Sequence, residues 1–425
     1  MNEKASSMRS NATLGLLMLL SILNMVDRNL ISSFGPQIVE DLGLTDSQFG
    51  LLTGMIFVFF YAVMGFFMGV LVDKYHRPRI IAIGLLVWSL LTAYSGLAKN
   101  FMQIAMARLM VGVGESSLTP ASLSLLSDLF PQRKRGMAAG IYYLGLPLGA
   151  GGSFLVAGLL GPTLGWRNCF LLLGALGVLL TIPLFFMRDA KRGAQEEEEY
   201  VAIEDKTSFQ DLLTHLRQSK ALMLTMAGAV FLHIPIGAGQ FSQLWLVRER
   251  GFDVAEIATI YGGLFIVFGT IGTLISGIAS DWYHQRFNGG RVRFLAILML
   301  AMSPLLMGYR LGEPGSIIFY TGMCAGFLIM SAFYGPAFST VQDLSPVNMR
   351  GRMTALLLVA CNLIGLGLGA VMTGILSDLL RSSGNDQPLT WALIITDLCS
   401  MLTVPCFIWA SMYMTKKSSA EAITA

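Results

Sequence analysis

Charged residues are scarce in this sequence. Aspartate, glutamate, lysine and arginine make up only 13% of the 425 residues, whereas hydrophobic residues make up 54%. Soluble domains carry about 25% charged residues. Because so few charges cannot cover so much apolar surface, the composition excludes a water-soluble globule and predicts an integral membrane protein.

The sequence also lacks cysteine spacings typical of metal sites and the common enzyme motifs. The five cysteines fall inside apolar stretches without C-x-x-C or metal-site spacing, so we interpret them as small core residues. The sequence has no Walker P-loop, no H-E-x-x-H, no G-x-S-x-G and no soluble domain that could hydrolyse ATP. We therefore expect neither an enzyme nor an ATP-driven pump, and no metal or cofactor. The net charge of +3 gives no reason to expect nucleic acid as a partner.

Long apolar stretches dominate what is present. A spanning helix needs about 20 mostly apolar residues, and the stretches of this length predict an all-α protein with 12 transmembrane helices. The first is too long for the core of a signal peptide, so we expect it to be retained. The predicted spans are residues 14–37, 49–72, 80–98, 102–126, 137–160, 166–187, 221–246, 257–279, 294–309, 316–341, 353–376 and 391–414.

The distribution of lysine and arginine supports this number of spans. With both termini cytoplasmic, 21 of the 29 basic residues fall in cytoplasmic segments, 6 fall in outer loops and 2 lie inside spans. Cytoplasmic loops of membrane proteins carry such an excess of basic residues. We therefore predict a multi-pass protein of the cell membrane, with its N- and C-termini in the cytoplasm.

The longest polar stretch divides the chain into two halves. It contains an acidic run at residues 196–199 and separates the sixth predicted span from the seventh. We predict an N-terminal six-helix bundle at residues 1–187 and a cytoplasmic linker at 188–220. A C-terminal six-helix bundle at 221–414 and a cytoplasmic tail at 415–425 follow.

The two halves repeat each other. Matching residues recur after the second and eighth spans with an offset of 208, and around the ends of the fourth and tenth spans with an offset of 215. Such duplication is typical of transporters whose substrate site lies between two related halves. The matching pairs are Gly69 and Gly277, Asp73 and Asp281, Tyr75 and Tyr283, His76 and His284, Asp128 and Asp343, Pro131 and Pro346, and Arg135 and Arg350.

These motifs resemble those of the major facilitator superfamily. The resemblance rests on Gly69-x-x-x-Asp73-Lys74-x-x-Arg77, on its echo in the second half, and on Arg108-Leu-Met-Val-Gly112-Val-Gly114-Glu115. It implies the major facilitator fold, with two pseudo-symmetric six-helix bundles and secondary active transport by alternating access. It also implies a conformational lock between the halves, which we assign to Asp73, Lys74, Arg77, Asp128, Arg135, Asp281 and Arg286. The alternative for these residues is plain inside-positive topology with incidental pairs.

A narrower resemblance is to the spinster family. It rests on Asp27-Arg28-Asn29, on Asp73-Lys74-Tyr75-His76-Arg77, and on the stretch from Arg108 to Pro131. It implies export of lysolipids or sphingoid-type lipids with proton coupling. Organic-anion symporters share the pattern of the fourth span, so small organic anions or drugs remain the alternative substrates. We expect the protein to act as a monomer in the lipid bilayer.

Four ionisable residues lie inside the first and fourth spans. Ionisable groups at bilayer depth are expensive and normally face the bundle interior or a water-filled cavity. A carboxylate loses its charge more readily when buried and less readily beside an arginine, so its protonation can change between states. We predict proton coupling by Asp27 and Glu115, and substrate binding by Arg28 and Arg108. The alternative is a structural quartet that holds the two helices together.

The second half carries neutral polar residues at the corresponding depth. We predict that His233, Tyr334 and Asn362 contribute to substrate binding, with a satisfied packing role as the alternative for His233. Asp397 in the last span is interpreted as structural or interfacial. One charged and one neutral cavity wall would suit an amphipathic molecule with an ionic head and an apolar tail.

Overall fold

The structure is a computed structural model that describes residues 2–193, 209–287, 290–346 and 349–424. Over those residues it contains helices and no β-strand. The acidic run at residues 196–199 lies outside the described residues, as does most of the predicted linker.

The chain divides into two compact units. The first consists of Met1–Ile203 together with Asp253–Ile266. The second consists of Glu204–Phe252 and Val267–Ala425. The domain limits at residues 187, 220 and 414 stay a prediction.

The first unit is built from helices α1 to α10. In chain order they are α1 Asn2–Ser33, α2 Gly35–Leu42, α3 Asp46–Thr53, α4 Met55–Lys74, α5 Arg77–Ser95, α6 Phe101–Glu115, α7 Leu118–Leu129, α8 Gln132–Tyr143, α9 Gly145–Leu159 and α10 Gly161–Phe186.

The remaining helices run from α11 to α21, and α14 contributes its residues up to Ile266 to the first unit. They are α11 Phe209–Gln218, α12 Lys220–Ala238, α13 Ser242–Arg248, α14 Val254–Phe287, α15 Arg291–Leu311, α16 Ile317–Ala332, α17 Tyr334–Asp343, α18 Arg350–Ala360, α19 Leu368–Ser382, α20 Pro388–Ser400 and α21 Thr403–Thr424. A 3₁₀ turn at Gly239–Phe241 joins α12 to α13, and a π-helical segment at Cys361–Gly367 joins α18 to α19.

Eleven helical stretches of the described residues are long and apolar enough to cross a membrane. Several combine two consecutive helices, such as Asp46–Lys74 and Gln132–Leu159. They account for every predicted span except the fourth.

The fourth predicted span, residues 102–126, is divided into α6 and α7. The hydroxyls of Ser116 and Ser117 donate to the carbonyls of Val113 and Gly114, at 2.7 and 2.8 Å. Pro120, two residues into α7, has no N–H to continue the helical ladder. Serine hydroxyls that bond back to the helix bend it, so the segment is helical on both sides of a break.

Polar contacts join α20 to earlier residues of the second unit. Arg310 on α15 donates to Asp397 on α20 at 2.8 Å, and both side chains are buried. The Glu249 carboxylate accepts from the main-chain N–H groups of Leu389 and Thr390, both at 2.7 Å, at the start of α20. An acidic group there satisfies free N–H donors and complements the helix dipole. The interpretation of Asp397 as structural agrees with this pairing.

Helix α11 lies just after the segment outside the described residues. Its apolar side chain Leu212 is buried among residues of the second unit. The ring nitrogen Nε2 of His215 lies 3.1 Å from the carbonyl oxygen of Leu344. This short helix is therefore packed against the second unit at the end of α17.

Candidate functional site

Two helices of the first unit, α1 and α6, bring the four predicted ionisable residues together. Asp27 and Arg28 lie on α1, and Arg108 and Glu115 lie on α6. Asp27, Arg108 and Glu115 are only 3%, 4% and 1% exposed. The four formal charges sum to zero, as a buried cluster requires if no ion is to remain uncompensated.

Arg28 and Glu115 form the direct ion pair of this quartet. Arg28 donates through Nε at 3.2 Å and Nη2 at 3.0 Å, and both bonds go to Oε2 of Glu115. The other carboxylate oxygen, Oε1, is buried and has no hydrogen-bond partner in the described part of the chain. The pair therefore uses one carboxylate oxygen rather than the bidentate arrangement in which arginine grips both.

Arg108 binds main-chain oxygens instead of a carboxylate. Its Nη1 donates to the carbonyl of Asp27 at 3.4 Å, and its Nη2 donates to the carbonyl of Arg28. Its Nε has no hydrogen-bond partner among the described residues. Arg108 thus fixes the position of α6 against α1, and among the described residues the carboxylate of Asp27 forms no ion pair.

Asp27 is the carboxylate with the fewest partners. Its Oδ2 accepts one long hydrogen bond, 3.5 Å, from Thr92 Oγ1 on α5. Its Oδ1 is buried and has no hydrogen-bond partner over the described residues, and the same holds for Nε1 of Trp88 and Nδ2 of Asn24. A buried charge without a partner is costly, so these surroundings favour a neutral carboxylic acid in this conformation.

Aromatic rings of α4 face the two arginines. The guanidinium of Arg28 lies 4.9 Å from the ring centroid of Phe57 and 4.5 Å from that of Tyr61. Arg108 lies 4.5 Å from the ring centroid of Phe57. These distances are within the range of cation–π attraction. With 22% of its side chain exposed, Arg28 is the one member of the quartet that remains partly accessible.

Two glycines of α6 allow this packing. A Cβ on Gly112 would lie 2.8 Å from the carbonyl oxygen of Phe57. A Cβ on Gly114 would lie 2.9 Å from the carbonyl oxygen of Gly84 and from the nitrogen of Trp88. Gly112 and Gly114 therefore allow α4 and α5, respectively, to approach α6 closely.

In the second unit, the predicted residues are only partly brought together. Nδ1 of His233 lies 2.9 Å from the carbonyl oxygen of Ala229, and the ring contacts Phe333 and Tyr334. Asn362, in the π-helical segment, donates to the carbonyl of Leu358 at 2.9 Å. His233 and Asn362 thus bond to their own helices, whereas Tyr334 is 36% exposed.

Arg77 is the centre of a polar cluster at one end of the first unit. Its side chain is completely buried and donates to the carboxylates of Asp128 and Asp189, the latter at 2.8 Å. It also donates to the carbonyls of Ser124, at 2.9 Å, and Ala190. Arg77 therefore binds the end of α7 and the residues after α10 to the start of α5.

Other predicted lock residues of this unit lie nearby with different contacts. Asp73 and Lys74 at the end of α4 are exposed, and within the described ranges neither makes an ion pair. Arg135 donates to the carbonyl of Ser127 at 3.0 Å.

The second unit has a related cluster around an arginine outside the predicted set. Arg291 donates to Asp281 and to Asp343, both at 2.5 Å. No ion pair joins Asp281 to Arg286 among the residues that the structure describes. Arg291, rather than Arg286, holds the ends of α14 and α17 together in this conformation.

Sequence reasoning missed Asp189, Arg291, Phe57 and Tyr61 as members of these clusters. Asp189 had a detectable signal, because it directly follows the sixth span on the same side of the membrane as Arg77. The two rings had none, since phenylalanine and tyrosine at helical spacing are ordinary packing residues.

Apolar spans that carry a buried charge cluster are typical of multi-pass membrane proteins with an internal functional site. The sequence model of the Major Facilitator Superfamily matches residues 17–370. The chain belongs to this superfamily. The fold class is therefore the predicted one, and family and fold together indicate a transporter rather than an enzyme.

Relatives and solved structures agree with this assignment. An MFS-type efflux pump of Mycolicibacterium smegmatis is 28% identical over 91% of this chain and 89% of its own. The sphingosine-1-phosphate transporter SPNS2 of Xenopus tropicalis is 23% identical over 92% of this chain and 78% of its own. A crystal structure of a bacterial homologue of the lysosomal transporter Spinster matches with a TM-score of 0.86, at 24% identity over 96% and 98% of the two chains. The predicted resemblance to spinster proteins is confirmed.

Proposed function

We propose that the protein moves an amphipathic organic molecule, a lysolipid or a sphingoid-type lipid, by alternating access with proton coupling. The observation that carries the proposal is the unequal pairing inside the quartet. Glu115 is bound to Arg28 at 3.0 Å, while the side chain of Asp27 has no cation partner among the described residues.

Asp27 is the proposed proton carrier in this conformation. The carboxylate of Asp27 is buried and forms no ion pair with a cation of the described residues, so Asp27 binds a proton here. It releases the proton when a rearrangement brings Arg108 from the main-chain carbonyls to the carboxylate. The two protonation states therefore differ in their preferred arrangement of α1 and α6, which is the differential interaction that coupling requires.

Arg28 is the proposed contact for an anionic head group. It is partly exposed, it lies on two aromatic rings, and its partner Glu115 leaves one carboxylate oxygen unused. An incoming phosphate or carboxylate competes with Glu115 for Arg28. Once displaced, Glu115 becomes a second buried carboxylate that needs a proton, so head-group binding and protonation are linked.

The remaining site and topology assignments belong to the same proposal. Tyr334, His233 and Asn362 supply neutral polar contacts for the substrate. The conformational lock between the halves consists of Asp73, Lys74, Arg77, Asp128, Arg135, Asp281 and Arg286. The protein is placed in the cell membrane as a monomer, with both termini cytoplasmic.

The test is transport by the purified protein in proteoliposomes. We expect radiolabelled lysophospholipid to cross the membrane faster when a pH gradient is imposed than when it is not. Liposomes without protein give the passive rate. If a protein that remains folded gives only the passive rate, the lipid assignment is wrong.

Replacement of Arg28 tests the head-group contact. Arg28→Ala is expected to weaken binding of an anionic lysolipid about tenfold or more, because a charge-assisted hydrogen bond contributes about 1.5–3 kcal/mol. Arg28→Lys keeps the charge and should retain part of the affinity. Binding of an uncharged monoacylglycerol is the control and should change little. Equal losses for both ligands would contradict the assignment.

Small organic anions or drugs remain the second candidate. The observation in favour is that one relative is an efflux pump, and that a guanidinium stacked on Phe57 and Tyr61 would also hold an aromatic carboxylate. Gradient-driven uptake of such an anion, together with no lysolipid transport, would favour this alternative.

A further inference from the structure

A cavity lies between the start of α1 and the end of α10. It is open, has a volume of about 470 Å³, and is lined by the start of α1 and by the residues at the end of α10. Five of its lining residues matter here: Arg9, Thr13, Leu16, Phe186 and Arg188. It is separate from the quartet, because Arg28 lies about 28 Å further along α1 than Arg9, at 1.5 Å per residue.

Two arginines, Arg9 and Arg188, line this cavity. Arg9 Nη2 donates to the carbonyl oxygen of Arg188 at 3.2 Å, and both side chains are exposed. Neither arginine has a carboxylate within ion-pairing distance in the described part of the chain. The adjacent acid Asp189 is bound to Arg77 at 2.8 Å. The cavity is therefore lined by two basic residues that form no ion pair with any carboxylate of the described residues.

Apolar side chains also line the cavity. Phe186 is 83% exposed, and Leu16 on α1 is half-buried. The spans to which they belong are Met8–Ser33 and Gly161–Phe186. The arginines thus stand at the ends of two spans and the apolar residues just inside them. This arrangement suits a lipid, in which a charged head group adjoins an apolar tail.

We propose that this cavity binds one anionic phospholipid of the adjacent leaflet. The phosphate lies between Arg9 and Arg188, and an acyl chain runs along Leu16 and Phe186. Guanidinium groups recognise phosphate through charge-assisted hydrogen bonds. Basic pockets at the ends of spanning helices bind lipid head groups in this way. A lipid with a net negative charge is preferred over a zwitterionic one, whose own ammonium group compensates its phosphate.

Lipid binding to the purified full-length protein in detergent tests this site. Native mass spectrometry measures the dissociation constants of phosphatidylglycerol and phosphatidylcholine. We expect tighter binding of phosphatidylglycerol. The variant Arg9→Gln/Arg188→Gln should weaken it about 25-fold, because each basic residue near an anionic head group contributes about fivefold. The control Arg133→Gln/Lys134→Gln removes two exposed charges of α8 on the same side and should leave binding unchanged.

Three outcomes would overturn the proposal. One is equal affinity for both lipids, and another is unchanged phosphatidylglycerol binding in a folded Arg9→Gln/Arg188→Gln variant. The third is displacement of phosphatidylglycerol by millimolar glycerol 3-phosphate, which would indicate a site for a free anion instead of a lipid. Equal elution volume and melting temperature of the two double variants establish that the altered affinity does not arise from unfolding.

Discussion

Asp27→Asn is expected to abolish proton-driven accumulation of substrate while leaving substrate exchange intact. Asparagine keeps the shape of the side chain and can still accept the hydrogen bond of Thr92, but it cannot bind and release a proton. A pH difference of about one unit is worth about 1.4 kcal/mol for each coupled proton, which is about tenfold accumulation. The variant should show no accumulation above equilibrium.

Two assays on the same proteoliposomes separate coupling from folding. Uptake against a concentration gradient, driven by the pH difference, measures coupling. Exchange of internal for external substrate without a pH difference measures whether the carrier still binds and moves its cargo. Asp378→Asn, the same chemical change on α19, is the control and should behave like the unmodified protein. Full pH-driven uptake by Asp27→Asn would remove Asp27 from the coupling mechanism.

Arg77→Gln is expected to cause the largest loss of stability among the basic residues near the ends of the helices. The substitution leaves the carboxylates of Asp128 and Asp189 without their shared cation. Removal of one partner from a buried ion pair costs about 3–5 kcal/mol. We expect the lower end of this range, because both carboxylates keep some exposure to water. The midpoint of thermal unfolding should fall accordingly.

The control for Arg77 lies two residues away. Arg79 is exposed on the same helix, and Arg79→Gln should change stability by no more than about 0.5 kcal/mol. The triple variant Arg77→Gln/Asp128→Asn/Asp189→Asn should regain most of the loss, because no uncompensated charge remains. Equal melting temperatures for Arg77→Gln and Arg79→Gln would show that the cluster contributes little.

The spans were predictable because bilayer thickness imposes a long apolar run on each of them. The break between α6 and α7 was not predictable from the sequence. It depends on two serine hydroxyls that donate to carbonyls of their own helix, and composition does not show which group a serine hydroxyl binds. The π-helical segment Cys361–Gly367 is a similar case. Its extra residue per turn changes which side chains face a neighbour, yet the apolar pattern continues through it.

For the charge cluster, the sequence predicted which residues belong to it but not which of them form pairs. Sequence position places Asp27 and Glu115 at similar depth, with Arg28 and Arg108 on the same two spans, which is why the four were expected to meet. It does not decide which arginine binds which carboxylate, because the spacing permits several pairings. In the structure, Gly112 lets α4 approach α6, and Phe57 and Tyr61 of α4 face the guanidinium of Arg28.

The lock residues illustrate the same limit. The repeat pointed to Asp281 and Asp343 as equivalents of Asp73 and Asp128, but the cation that joins the first two is Arg291 from the start of α15. Sequence proximity favoured Arg286 because it follows Asp281 in the motif. Contacts between helix ends depend on how the helices pack, and an internal sequence repeat does not contain that information.

The contacts of Glu249 and Arg310 have a consequence for biosynthesis. Glu249 is made 140 residues before Leu389, whose N–H it accepts, and Arg310 is made 87 residues before its counter-ion Asp397. Chains fold from the N-terminus as they leave the ribosome. Most of the second unit is therefore inserted before the partners of Glu249 and Arg310 exist, and these two groups are paired only when the last span, Pro388–Thr415, has been made. A nascent chain that stops before α20 would expose both groups to the quality-control machinery of the membrane.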